Sequence, residues 1–312
     1  MCSSSRNRTV RRQPGAAKRN PEPTAKCDRR YPAGASGFFA FRIPGLTALV
    51  LALALFAAPV HARELRVCAD PNNLPFSNER GEGFENKIVA LVAEELGATV
   101  EYTWWAQRRG YVRNTLKAGL CDLVPGVASG FEMLRTTIPY YRSTYVFVTR
   151  PDGPAVQSLD DPVLRAARVG VQLVGDDGVN TPPAHALARR GIVDNVRGYS
   201  LYGDYREPNP PARIVEAVRA GEIDVALAWG PMAGYFAVQE PAVLRVTPVV
   251  PLADGPRLPM VFDIGMGVRR GEDAFRAEIE GALRRRQADI DAILSEYRVP
   301  RLDLRVTEAR GP

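Results

Sequence analysis

From Glu64 onward, apolar residues follow two alternating periods, and glycine and proline mark the breaks between them. Leu65, Val67 and Cys68 make a short strand that ends at Ala69-Asp70-Pro71. After Gly83, the residues Phe84, Ile88, Leu91, Val92 and Leu96 recur at the spacing of one helix face, and Gly97 stops the run. Residues 99–104 read as a second strand, 111–118 as a helix closed by Gly119, and 121–124 as a third strand. The theme repeats downstream. Asp161-Pro162 leads into a strand over 168–172, and a helix over 183–190 halts at Gly191. Another helix over 212–220 halts at Gly221 and feeds a strand over 223–228. A connection holding Pro248, Pro251, Pro256 and Pro259 precedes a strand over 261–268. A last helical stretch puts Phe275, Ile279, Leu283, Ile290, Ile293, Leu294 and Tyr297 on its apolar side.

Strands alternating with helices of this length predict βαβ units, and so an α/β fold of mostly parallel sheets flanked by helices. The stretches 149–153 and 249–259 are the natural crossings between lobes. Two crossings place a continuous lobe, 151–251, inside a discontinuous one, 63–150 with 252–312.

Residues 1–62 break the pattern. A basic stretch from Arg6 to Arg42 is followed by an uncharged Leu/Ala-rich run over 43–60, and then by Val60-His61-Ala62, a small-x-small site. This is the anatomy of an export signal cleaved after Ala62. The competing reading is a membrane anchor, but Pro44, Gly45 and Pro59 shorten the apolar core to signal-peptide length, so no membrane span is expected after cleavage. Removing the leader reverses the charge argument. It carries ten Lys/Arg against Glu22 and Asp28, a net of +8, while the whole chain is +6. The remainder is therefore at −2, and nucleic-acid binding loses its compositional support.

Export changes how the cysteines are read. Cys2 and Cys27 belong to the leader, which leaves Cys68 and Cys121 as an even pair in an oxidising compartment. The two open strands that should be neighbours, so a disulfide is sterically reasonable if their Cα atoms lie within about 7 Å. The alternative is two buried free thiols. There is no CxxC and no HExxH, and His185 is the single histidine after the leader, which argues against a zinc site or a His-based triad. Asp176-Asp177 with Asn180 lacks the EF-hand pattern and reads as a solvated loop. An enzyme built on this chain would have Asp70, Glu82 and Glu85 as its acids. No positioned base, nucleophile, GxGxxG or P-loop accompanies them, so no catalysis and no resident cofactor are expected.

Open parallel sheets bind ligands at the carboxyl ends of their strands. Asp70, Asn73 and Phe76 follow the first strand, while Ser129 and Gln172 take comparable strand-end positions. Asp-Pro-Asn-Asn is also good turn sequence with no ligand at all. Both readings stand at this point.

In order along the chain, several segments resemble type II periplasmic solute-binding proteins. These are Glu64 to Asp70 with Leu74-Pro75-Phe76-Ser77, then Gly83 to Ile88, Ala118 to Leu123, and Pro139-Tyr140-Tyr141. They are followed by Asp161-Pro162 with Val169 to Gln172, Gly267 to Gly271, and Ile293 to Pro300. The resemblance implies two α/β lobes around a ligand cleft. It also exposes two departures from the amino-acid-binding members. Where those hold the ligand carboxylate with an arginine, this chain has Glu132, with Arg135 three residues on; where they hold the ammonium with an aspartate, it has Trp229-Gly230-Pro231. A buried ligand carboxylate without its arginine is strongly disfavoured, so an ordinary amino acid is not the expected ligand.

A narrower resemblance is carried by Tyr102-Thr103-Trp104-Trp105-Ala106-Gln107-Arg108-Arg109-Gly110-Tyr111-Val112-Arg113-Asn114-Thr115-Leu116, with Val67-Cys68-Ala69, Gly119 to Asp122, and Tyr140 to Phe147. These segments are similar to the J proteins of methanol dehydrogenase clusters, the MxaJ and XoxJ types. The resemblance implies a non-enzymatic periplasmic accessory that assists assembly or activation of a PQQ-dependent methanol dehydrogenase of calcium or lanthanide type. That enzyme and its cytochrome c would be the partners, and PQQ and metal would belong to the enzyme. On this reading Trp104, Trp105, Gln107, Arg108, Arg109 and Arg113 are interface candidates, because Trp and Arg carry much of the energy of protein interfaces. Asp70, Asn73, Phe76, Ser129, Arg135, Gln172 and Trp229 remain cleft candidates for a small ligand. The alternative function is a receptor delivering a small polar solute to an ABC transporter.

Overall fold

The computed structural model describes residues 63–174, 180–239 and 243–303. The expected export signal, and the Asp176-Asp177 pair, lie outside the described residues. The chain enters on β1 (Arg63–Ala69), then a small hairpin of β2 (Asn72–Asn73) and β3 (Ser77–Asn78), then α1 (Phe84–Glu95) and β4 (Ala98–Trp104). A single helical turn, α2 (Tyr111–Asn114), leads to β5 (Val124–Ala128), β6 (Arg135–Thr136) and β7 (Tyr141–Thr149). There follow β8 (Val169–Leu173), α3 (Pro182–Arg189), β9 (Val196–Ser200), α4 (Arg213–Arg219) and β10 (Val225–Trp229). The remainder is α5 (Gly230–Ala237), β11 (Arg245–Pro248), β12 (Val261–Val268), α6 (Asp273–Arg285) and α7 (Gln287–Glu296).

Parallel pairing is found where the βαβ pattern predicted it. β1 pairs with β4 from Arg63↔Ala98 to Ala69↔Trp104, and β8 pairs in parallel with both β10 and β9. Antiparallel pairing enters mainly through the two strands that link the lobes, β7 and β12. The first half of β7 pairs with β12 (Thr144↔Val261 to Tyr141↔Ile264), whereas its second half runs between β10 and β11 (Tyr145↔Trp229, Val146↔Pro248). The change of partners falls at Thr144/Tyr145, and the chain returns beside it, with the Tyr145 amide donating to the Met260 carbonyl at 2.9 Å. The exchange therefore comes inside a strand, ahead of 149–153. The neighbouring Ser143 hydroxyl is pinned to the Pro300 carbonyl at 2.6 Å.

Side-chain burial follows this division. On one side Leu65, Val67, Phe84, Ile88, Tyr140, Tyr141, Met266, Leu283 and Leu294 share a core. On the other, Val148, Ile214, Val218 and Phe236 pack on one sheet face, and Phe147, Leu164, Val169, Leu187, Leu227 and Met260 on the opposite face. Each large apolar side chain so buried contributes about 1.5–3 kcal/mol, which is why both layers of helices stay on their sheets. The entry to α1 is set by polar groups: Asn86 Oδ1 accepts from the Gly83 and Asn78 amides, each at 3.1 Å.

Two expectations change in the first lobe. The helix over 111–118 is one turn long, because the Thr115 hydroxyl bonds back to the Tyr111 carbonyl at 2.6 Å and the Lys117 amide reaches Val112 rather than Arg113. Leaving the helix there lets Leu116 and Cys121 turn inward beside Cys68. The third strand also starts later. Only Leu123 bridges Val67 in parallel, and Cys121-Asp122 form the turn before β5, held by Asp122 between Arg66 (2.7 Å) and Arg269 (2.5 Å). Within that frame Cys68 and Cys121 are joined by the expected disulfide, Cα atoms 5.5 Å apart, with Cys121 in the turn and not in a strand.

Candidate functional site

The loops at the carboxyl ends of β1, β4, β8 and β10 enclose a cavity of about 330 Å³. Asp70 stands at its edge. Only 1% exposed, it follows β1 directly, and its Oδ1 accepts the Asn72 amide at 2.9 Å while Oδ2 accepts the Gln107 amide at 2.6 Å. The Tyr205 hydroxyl, from the loop after β9, also donates to Oδ2. One carboxylate thus ties three loops together, two from the first lobe and one from the second. Three further contacts cross between the same loops. Arg108 lies over the Tyr205 ring at 4.6 Å and reaches the Gly203 carbonyl at 3.5 Å, and Asn72 Nδ2 donates to the Glu207 carbonyl at 3.0 Å. Burial, and then the bond to Asp70, hold the Tyr205 phenol well above its ordinary range.

Glu85 supplies a second carboxyl. It sits in the first turn of α1, where the core packing of Phe84 and Ile88 turns it towards the cavity instead of solvent, and it is 4% exposed. Burial, reinforced by the nearby Asp70 charge, pushes its pKa up from 4.5 to about 8, so at neutral pH it is a neutral acid. Gly126 of β5 makes room for it. At φ +69° a Cβ there would lie 2.0 Å from Glu85 Oε1. Gly126→Ala therefore combines a strained backbone with a clash, and we expect a loss of about 2 kcal/mol or more, read as a lowered melting temperature.

The opposite wall is aromatic. Trp229 packs edge-on against Tyr145 (5.3 Å) and Phe262 (5.8 Å), and Gln172, 2% exposed, accepts the Trp229 amide on Oε1 at 3.0 Å. Of the predicted cleft residues, Asp70, Asn73, Phe76, Gln172 and Trp229 line the cavity. Ser129 and Arg135 do not. The Ser129 amide extends the β5–β12 ladder by donating to the Asp263 carbonyl at 2.8 Å, which leaves its side chain exposed. Arg135 opens β6 opposite Val268 and turns outward towards Asp273 at 3.9 Å, in a separate surface groove.

The expected interface run is divided. Gln107 lines the cavity and receives Asn73 Nδ2 at 3.3 Å, and Arg108 serves the inter-loop contact with Tyr205. Trp105 is 42% exposed, Arg109 and Arg113 are exposed, and Trp104 stacks on Tyr102 at 4.5 Å. Tyr145, Tyr202, Tyr205 and Phe262 were missed in the sequence. Tyr202 and Tyr205 stand in an unusual tyrosine-rich stretch, Ser200-Leu201-Tyr202-Gly203-Asp204-Tyr205, which was the available signal. Tyr145 is placed by the pairing of β7 with β10 and Phe262 by that of β7 with β12, which no local pattern announces. Among the described residues no group of three or more His, Cys, Asp or Glu side chains could hold a metal ion, and no helix is long and apolar enough to cross a membrane.

No protein-family model matches the chain. Protein MoxJ of Methylorubrum extorquens is 34% identical over 288 residues, covering 83% of this chain and 94% of the relative. Among solved structures, the periplasmic binding protein XoxJ from Methylobacterium extorquens AM1 is 38% identical, with a TM-score of 0.63 over 77% of this chain and 99% of that one. MxaJ from Methlophaga aminisulfidivorans MPT is 25% identical, with a TM-score of 0.64 over 76% of this chain and 100% of that one. The lobes, the crossing strands and the cleft are those of a type II periplasmic binding protein, and the chain belongs to the MoxJ family, whose structural relatives here are XoxJ and MxaJ.

Proposed function

We propose that this protein is a non-enzymatic accessory of methanol oxidation, exported to the periplasm on its 1–62 leader. There it binds a PQQ-dependent methanol dehydrogenase, together with that enzyme's cytochrome c, and assists its assembly or activation. We take its lobes to divide at the change of partners in β7 and at the return near Met260. The observation that carries the partner reading is the placement of the run that resembles the J proteins. It follows β4, which among the described residues pairs with β1 alone, and within it Trp105, at 42% exposure, Arg109 and Arg113 are all exposed. An exposed tryptophan and two exposed arginines in one short run after an edge strand have the composition of an interface hot spot. Gln107 lines the cleft and Arg108 is engaged with the Tyr205 loop, so both are left out of this surface.

The test is biosensor binding of the purified chain to a PQQ-dependent methanol dehydrogenase, with the melting temperature as a control. Trp105→Ala combined with Arg113→Glu is expected to weaken binding about tenfold or more while leaving the melt unchanged. Unchanged affinity in that variant removes this surface. If the parent chain does not bind the enzyme but takes up one polar metabolite tightly, the solute-receptor reading replaces the accessory one.

A further inference from the structure

We propose that the cleft is a binding site for a small organic ammonium ion without a carboxylate, a primary amine carried on an aromatic or apolar body, with Asp70 and Glu85 as acceptors and the rings opposite as its walls. The proposal stands apart from the partner surface and depends only on the cavity.

The charge of the lining excludes the alternatives. Asp70 and Glu85 both face the cavity, and among the described residues its lining holds no lysine or arginine. A phosphate or carboxylate would therefore enter against like charge, with no cation to compensate. A purely apolar ligand fails for a different reason. It would cover the Glu85 carboxyl, which is 4% exposed and aimed into the cavity, without offering it a hydrogen bond. An ammonium N–H satisfies that group and pairs with Asp70, whose oxygens already receive Asn72, Gln107 and Tyr205 but retain acceptor capacity.

The rings select the rest of the ligand. Phe76, Tyr145, Tyr205, Trp229 and Phe262 line the same cavity, and a desolvated cation over such faces is attracted to the rings beyond the burial of its body. Among primary, secondary and quaternary ammonium ions, the primary form supplies the most N–H donors for two carboxyl groups. A volume of about 330 Å³ accepts an amine with one ring and a short linker.

Binding of a cation beside Glu85 favours its ionised form, so the amine should displace a proton. The groups that face Glu85 are Asp70 from the loop after β1, Tyr102 of β4, Tyr111 of α2, and Tyr140 and Tyr141 at the start of β7. All are acids, and none offsets its burial with positive charge. With a pKa of about 8 before binding, Glu85 gives up its proton more readily as pH rises, and affinity should rise with it.

Titration calorimetry of the purified full-length mature chain with benzylamine, benzyl alcohol and phenylalanine tests the proposal. Benzylamine is expected to bind at least about tenfold more tightly than either comparison. Its affinity should increase by about tenfold between about pH 6.5 and 8.5, with proton release seen as a buffer-dependent heat. Glu85→Gln should remove the pH dependence and the proton release, and Asp70→Asn should weaken binding at every pH. Equal binding of the alcohol, tighter binding of phenylalanine, or a benzylamine dissociation constant weaker than about 1 mM in the parent chain would overturn it. The ligand comparison uses the parent protein and holds even if a variant fails to fold.

Discussion

Replacing both Cys68 and Cys121 by alanine is expected to lower the melting temperature by about 10 °C. The bond spans 53 residues, and closing a loop of that length removes about 4 kcal/mol of chain entropy from the unfolded state. At roughly 2–4 °C per kcal/mol for a chain of this size, the loss falls near that figure. The position of the bond makes the effect local as well as global. Both sulfurs are completely buried, and Cys121 sits in the irregular segment that replaces the rest of a helix after α2. Besides the bond, Asp122, Arg66 and Arg269 restrain this turn. Thermal denaturation of the double variant measures the effect. A shift below about 2 °C would mean that these charge pairs and the packing of Leu116 hold the segment unaided.

Stability should fall as pH rises from about 5 to 8, and Glu85→Gln should abolish most of that decline. Glu85 has a pKa near 8 in the folded chain against an ordinary 4.5. A raised carboxyl pKa means the native state holds its proton more tightly than the unfolded one. Its contribution is therefore fully present below the unfolded value and is lost as pH rises through the folded value. The difference corresponds to about 4 kcal/mol across the window. Asp224, held near 2 mainly by hydrogen bonding to Arg168, has the opposite sign, but it has finished titrating below the window. At about pH 8 the Glu85→Gln chain should melt above the parent chain, and near pH 5 the two should coincide. Parallel melting curves at both pH values would show that Glu85 titrates normally, and would remove the electrostatic part of the cleft described above.

Local pattern carried the individual elements. The spacing Phe84, Ile88, Leu91, Val92 and Leu96 marks one face of α1, Gly97 at φ +61° ends it, and residues 261–268 coincide with β12. Several signals were local in the same sense: the basic charge of residues 1–62, the even cysteine pair, and the WW-x-QRRG run that resembles the J proteins. The elements that escaped were those without periodicity. Gly230–Ala237 is apolar on nearly every side because α5 is buried on nearly every side, so no amphipathic stripe distinguishes it. β9 and β11 are short, and their pairing is decided by neighbours far away in the chain.

The cleft was legible only in part, for the same reason. Asp70, Asn73, Phe76, Gln172 and Trp229 lie at or just after the carboxyl ends of strands, and the strand order of this kind of sheet places such residues together. That Gln107 belongs with them while Ser129 does not depends on which way two loops turn, which β-pairing and the Asp70 carboxylate decide. That Glu85 faces a cavity beside Asp70, and is thereby kept neutral, depends on packing. Helix α1 presses Phe84 and Ile88 into one core while Gly126 of β5 clears a path for the acid. The sequence by itself determined the alternation of strand and helix and the even cysteine pair, because these rest on spacing and composition, and it pointed to the family through the segments that resemble it. The charge state of Glu85, the ring wall and the tie between the lobes were decided by the tertiary structure, because each arises from side chains separated by tens of residues meeting in a medium from which water is excluded.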